Sequence, residues 1–98
     1  MQHSDKVYVA VIAAFDEAGK LKPRRVKWED GSMYTIDRIL DVRPAAAHKA
    51  GGQGDRYTVE INGKESYLFF ERTAKQSGLD VGRWFVERKW KNLELNSS

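Results

Sequence analysis

The 98-residue chain has no cysteine, two prolines, two histidines and no apolar run long enough to cross a membrane. The missing cysteine excludes disulfides, thiolate chemistry, cysteine-based zinc sites and iron–sulfur ligation, and makes a cytoplasmic location the expectation. His3 and His48 are far apart and match no His-x-x-x-His spacing, so no metal or cofactor is expected. The longest apolar stretch, Val7 to Phe15, is flanked by Asp5 and Asp16. It lacks a basic lead and a small-residue cleavage site, and therefore reads as a buried strand rather than a signal peptide.

Catalytic patterns are equally scarce. Glu29-Asp30 sits in a turn, where acids are expected for hydrogen-bonding reasons, and Asp37 with Asp41 straddles an irregular stretch. The glycines of AGGQGD precede no Lys-Ser or Lys-Thr and open no helix, so they match no phosphate loop. Ser32, Ser66 and Ser77 have no histidine base nearby and no nucleophile-elbow context. The expectation is a non-enzymatic protein.

What the chain does contain is aromatic and basic. Three Trp, four Tyr and four Phe suit a β-rich core, and a net charge of +3 permits an acidic partner without requiring one. The segment KVYVAVIAAF, Lys6 to Phe15, is apolar on both alternating faces, as in a strand from the middle of a sheet. RRVKWEDGSMYTI reads as a hairpin. A three-residue loop, Glu29-Asp30-Gly31, gathers Val26, Trp28, Tyr34 and Ile36 on one face and makes Trp28 a core residue. Past Ile36 the alternation slips, which predicts a bulge or bend near Asp37-Arg38.

RPAAAHKAGGQGD, Arg43 to Asp55, reads as a loop holding one helical turn. RYTVEINGKESYLFFER is a second hairpin, and pairing Glu60 with Lys64 favours a three-residue turn, Ile61-Asn62-Gly63. TAKQSGLDVG suggests a helical turn ending at Gly78, RWFVERKW a last strand, and KNLELNSS a fraying tail. Together these predict one all-β domain over residues 1–98, packed from about residue 6 to 90. Its five or six mainly antiparallel strands form a strongly bent sheet or partly open barrel of SH3-like or OB-like size.

Two basic clusters stand out. Lys20, Lys22, Arg24, Arg25 and Lys27 lie in eight residues without an acid, and Arg83, Arg88, Lys89 and Lys91 follow near the other end. Small β-barrels bind single strands with a basic groove for phosphates and aromatic faces for bases. Single-stranded nucleic acid is therefore the expected partner, met by Lys20, Lys22, Arg24, Arg25, Lys27, Arg83, Arg88 and Lys89, with Tyr67, Phe69, Phe85 and Trp90 as stacking residues. This requires the last strand to lie beside the Arg24 strand. The alternative is a protein-interaction module or homodimer that buries Tyr67 to Phe70 and Trp84 to Trp90; neither partner is a membrane.

The pattern P-x-x-x-x-W-x-x-G-x-x-Y-x-I-x-x-I-L-x-V, Pro23 through Val42, resembles that of families of small bacterial proteins of unknown function. Those families share a Trp-turn-Tyr hairpin followed by an Ile/Leu/Val strand, and the likeness extends over most of Lys6 to Lys89. The resemblance implies a small cytosolic bacterial β-protein and supplies no activity, cofactor or site.

Overall fold

The structure, a computed structural model, describes residues 3–47, 52–73 and 81–90. They form seven strands: β1 (His3–Phe15), β2 (Leu21–Lys27), β3 (Met33–Thr35), β4 (Arg38–Ala47), β5 (Gly52–Ile61), β6 (Lys64–Arg72) and β7 (Gly82–Trp90). All are antiparallel in one sheet, in the order β3-β2-β1-β7-β6-β5-β4, which curls strongly into a half-barrel. The expected all-β fold is present, with seven strands rather than five or six.

The curl follows from connectivity. The two edge strands, β3 and β4, are consecutive in sequence and joined by Ile36 and Asp37 alone. Six inter-strand steps of about 4.8 Å would hold the edges of a flat sheet roughly 29 Å apart. The three Cα–Cα steps from Thr35 to Arg38 reach at most about 11 Å, so the sheet must roll until its edges meet. Where they meet, Ile36 N–H donates to the Arg24 carbonyl and Asp37 N–H to the Glu60 carbonyl, at 2.9 and 2.8 Å. The Asp37 carboxylate also accepts the Asn62 N–H at 2.9 Å, tying the closure to the β5–β6 turn.

Local chemistry agrees with these elements in most places. β1, apolar on both faces, lies inside the sheet, its first half paired with β7 and its second with β2. The β2–β3 hairpin has the expected register, Val26 opposite Tyr34, with Trp28 N–H donating to the Ser32 carbonyl at 2.8 Å and Gly31 at φ +90°. Val26 is buried, whereas Trp28 is only half-buried.

Three expectations are corrected. The β5–β6 turn has two residues, because Asn62 and Gly63 both take positive φ, +53° and +79°, as a type I′ turn requires. Glu60 therefore faces Glu65, and Arg38 takes its charge instead at 2.9 Å. Arg43–Ala47 and Gly52–Asp55 continue the β4–β5 ladder rather than looping out, since Pro44 sits at the sheet edge where no ladder partner is needed on its other side. The bulge falls between Ile39 and Asp41 rather than near Asp37-Arg38, where the chain instead crosses between edges. The helical turn expected before Gly78 and the tail after Trp90 lie outside the described residues.

Inside the curl pack Val26, Tyr57, Val59, Leu68, Phe70 and Trp84, flanked by Val9, Val11, Leu21, Ile36, Ile39 and Val86. Trp84 touches Phe70 and Tyr57, with ring centroids at 4.8 and 5.3 Å. The Tyr57 hydroxyl donates to the Leu21 carbonyl at 2.6 Å, and burial raises its pKa above the ordinary tyrosine value. At Gly54 of β5, an added Cβ would stand 2.4 Å from the Phe70 carbonyl oxygen of β6. Gly54→Ala is expected to cost about 1–3 kcal/mol by forcing this ladder apart. Thermal unfolding should show a midpoint lowered by roughly 4 °C or more, at about 4–8 °C per kcal/mol for a domain this size.

Candidate nucleic-acid interface

Alternation along each strand leaves a second set of side chains on the convex, outer face of the sheet. One cross-strand row there runs Tyr8, Phe85, Phe69, Arg56 and Arg43, each residue paired in register with the next across β1, β7, β6, β5 and β4. Phe69 and Phe85 stack face to face, with centroids 4.9 Å apart and planes within 5°. Tyr8 meets Phe85 edge-on at 5.8 Å. Tyr67, two residues along β6 from Phe69, stands on the same face.

Cations lie on these rings. The Arg83 guanidinium is 3.4 Å from the Tyr8 centroid, that of Arg56 is 4.6 Å from Tyr67, and the Lys6 ammonium is 4.9 Å from Phe85. Such contacts contribute about 0.5–1 kcal/mol each when exposed. Neither Arg83 nor Arg56 forms a direct ion pair among the described residues, although Glu71 stands opposite Arg83 in the ladder and feels its charge, and the buried Nε of Arg56 has no hydrogen-bond partner. Phe85 is shielded at 6% exposure, whereas Tyr8 and Tyr67 remain 39% and 53% exposed. The exposed rings of this face are thus tyrosines, each with an arginine resting on it.

The residues singled out from sequence divide among several surfaces. Tyr67, Phe69, Phe85 and Arg83 share the outer face, and Lys27 joins them opposite Ala10 on the far side of β1. Lys20, Lys22, Arg24 and Arg25 line a groove on the opposite flank, between β2 and β4, where Lys22 pairs with Asp16 at 3.2 Å. Arg88 pairs with Glu29 and borders a smaller apolar mouth of about 680 Å³ beside Trp28, where β6 and β7 part. The backbones of Lys89 and Trp90 pair with Ser4 and His3, and the roles expected of their side chains lie outside the described atoms.

The last strand does not lie beside the Arg24 strand. β1 stands between β2 and β7, so the two basic clusters do not merge. The physical reason is that β1 offers a free edge to each neighbour, its first half to β7 and its second half to β2. Tyr8, Lys6, Arg56 and Arg43 were not identified from sequence. Alternation in β1 places Tyr8 on a face opposite Val7 and Val9, but only the strand order puts that face beside Phe85. Among the described residues no three His, Cys, Asp or Glu side chains cluster as a metal site would, and no helix is long and apolar enough to span a membrane.

Acids also stand on this face: Glu71 opposite Arg83, Glu87 opposite Lys6, and Asp41, which pairs with Arg43 at 2.7 Å. Glu71 accepts from the Lys6 ammonium and from the Tyr8 hydroxyl, both at 2.9 Å. The Lys6 hydrogen bond holds Glu71 below its ordinary value of 4.5, against the opposing effect of burial, and the same bond raises Lys6 above 10.5. A depressed carboxylate contributes stability above its unfolded-state pKa and loses it as pH falls through the folded-state value. A raised ammonium contributes below its unfolded-state pKa and loses it as pH climbs through the folded-state value. The network that orients Tyr8 is therefore intact at neutral pH and weakens at both extremes. In thermal unfolding, Glu71→Gln should be less stable than the parent near pH 7, and the difference should shrink as pH falls below about 4.5. A difference independent of pH would disconnect Glu71 from this network.

No family model, curated protein or solved structure matches the chain, so the outer-face row and its cations carry the functional reading.

Proposed function

We propose that this is a non-enzymatic binding protein that takes single-stranded nucleic acid on the outer face of its sheet. The observation that carries the proposal is the in-register row Tyr8, Phe85, Phe69 and Arg56, with a guanidinium resting on each exposed tyrosine. Base stacking on such rings is sequence-tolerant, because every base has a π-face. Only a single strand presents that face, since duplex bases are stacked on one another.

On this reading a base displaces the arginine from its tyrosine and the freed guanidinium meets the adjoining phosphate. Both groups of a nucleotide are then satisfied by one Tyr–Arg pair. Tyr8 with Arg83 and Tyr67 with Arg56 form two such pairs, on either side of the Phe69–Phe85 stack. Lys27 adds a further cation at the β2 side, with no acidic partner among the described residues.

Fluorescence anisotropy with a labelled oligothymidylate tests this. Binding is expected at low salt and should weaken steeply as salt rises, through counterion release. Tyr67→Ala should weaken it by roughly five- to 150-fold, the equivalent of about 1–3 kcal/mol for a lost stacking platform. Arg83→Gln should also weaken it and flatten the salt dependence. No binding at low salt, or binding indifferent to Tyr67 and Arg83, would remove the proposal.

A further inference from the structure

Beyond the Ile36–Asp37 closure, β2 and β4 face one another without pairing. β2 is bonded to β3 only over Arg25–Lys27, and β4 pairs only with β5 among the described residues. Pro23, buried in β2, has no N–H to donate, and the Leu21 carbonyl is taken by the Tyr57 hydroxyl rather than by a strand. The result is an open seam of about 1530 Å³, with the unpaired edge of β4 along one bank.

Charge in the seam is one-sided. On the β2 bank, Lys20, Arg24 and Arg25 have no acidic partner among the described residues. The acids that line it are already engaged, Asp55 by Arg72 at 2.7 Å and Asp37 by the Asn62 N–H. Apolar side chains are exposed around it as well: Ile12, Phe15, Val42 and Val81, at 48–67%. Its floor rings, Tyr57 and Phe70, are buried, so a base finds no platform deep in the seam.

We infer that the seam docks an acidic, extended segment of a partner protein, which adds as a strand to the unpaired edge of β4. Main-chain hydrogen bonds to that edge supply affinity, and alternate side chains supply specificity. One set of side chains lies on Val42 and its apolar neighbours while carboxylates reach Lys20, Arg24 and Arg25. A nucleic acid meets the cations but has no use for a strand edge or for exposed aliphatic groups. The seam is separate from the outer-face row, so either site can fail without the other.

The probe is a fluorescein-labelled heptapeptide of alternating Glu and Val, titrated by anisotropy with the 98-residue chain. Saturable binding is expected. The Lys20→Glu/Arg24→Glu double variant should weaken it by about tenfold or more, because attractive pairs become repulsive ones. Val42→Glu should weaken it comparably without touching the basic bank, and near-ultraviolet circular dichroism establishes that each variant is folded. Methylating alternate peptide nitrogens on the edge-facing side should abolish binding, whereas Tyr67→Ala should leave it unchanged. The inference is overturned if the heptapeptide does not bind, if hepta-glutamate binds equally well, or if the charge reversal has no effect. It is also overturned if oligothymidylate displaces the peptide from the Tyr67→Ala variant, which would make the seam a path for nucleic acid.

Discussion

The link between Thr35 and Arg38 is the constraint on which the rest of the molecule depends. Joining opposite edges of a seven-stranded sheet through two residues leaves the sheet no flat solution. Rolling creates an inside, and it is the inside that gives Val59, Leu68 and Trp84 a place to be buried in a described structure without helices. The closure is held by main-chain bonds from Ile36 and Asp37, together with the Asp37 carboxylate on the Asn62 N–H. A connection several residues longer would remove this geometric demand, and the curl would rest on side-chain packing alone.

Closure at one point also decides where the sheet stays open. Past Asp37 the edges diverge into the seam, and on the other side β6 and β7 part after the Phe69–Phe85 pair to leave the mouth beside Trp28. The convex face between these openings has no covering layer among the described residues. A bare sheet face must be tolerable to water, and here its rings are shielded by one another and by cations lying over them. Lys6 above Phe85 and Arg83 above Tyr8 both lower the apolar area offered to solvent and carry charge to the surface.

Local pattern carried the strands and the first hairpin, and long-range order was what it lacked. The Trp28-to-Tyr34 register follows from keeping Val26 and Tyr34 on one face, which any pairing of those two segments must respect. At the second hairpin the preference for opposite charges, about 0.2–1 kcal/mol, was outweighed by an Asn-Gly turn whose two positive φ angles match the strand twist. Ala45–Ala47 and Gly52–Gly54 looked unlike a sheet because alanine and glycine have low strand propensity, yet the ladder that pairs Ile39 with Val59 extends through them. Tyr67 and Phe69 were legible on one face through alternation along β6, whereas Phe85 joins them only through the β6–β7 pairing, and the sequence alternation of RWFVERKW sets Trp90 opposite to Phe85. Tyr8 and Arg56 were not legible, because their place beside those rings depends on the order β1-β7-β6-β5.

The five cations of β2 show why clustering along a chain differs from clustering in space. Pro23 and Val26 are both buried although three residues apart, a spacing that regular alternation forbids. The ladder to β1 resolves this by skipping Arg24, pairing Arg25 with Ile12 and Pro23 with Ala13. The skipped arginine is a bulge, so two consecutive arginines are both exposed and both border the seam, Arg24 at the bulge and Arg25 beside Ile12. Lys20, Arg24 and Arg25 thus line the seam beside β4, while Lys27 lies across β1 from the aromatic row, so a run that is continuous along the chain is divided between two surfaces.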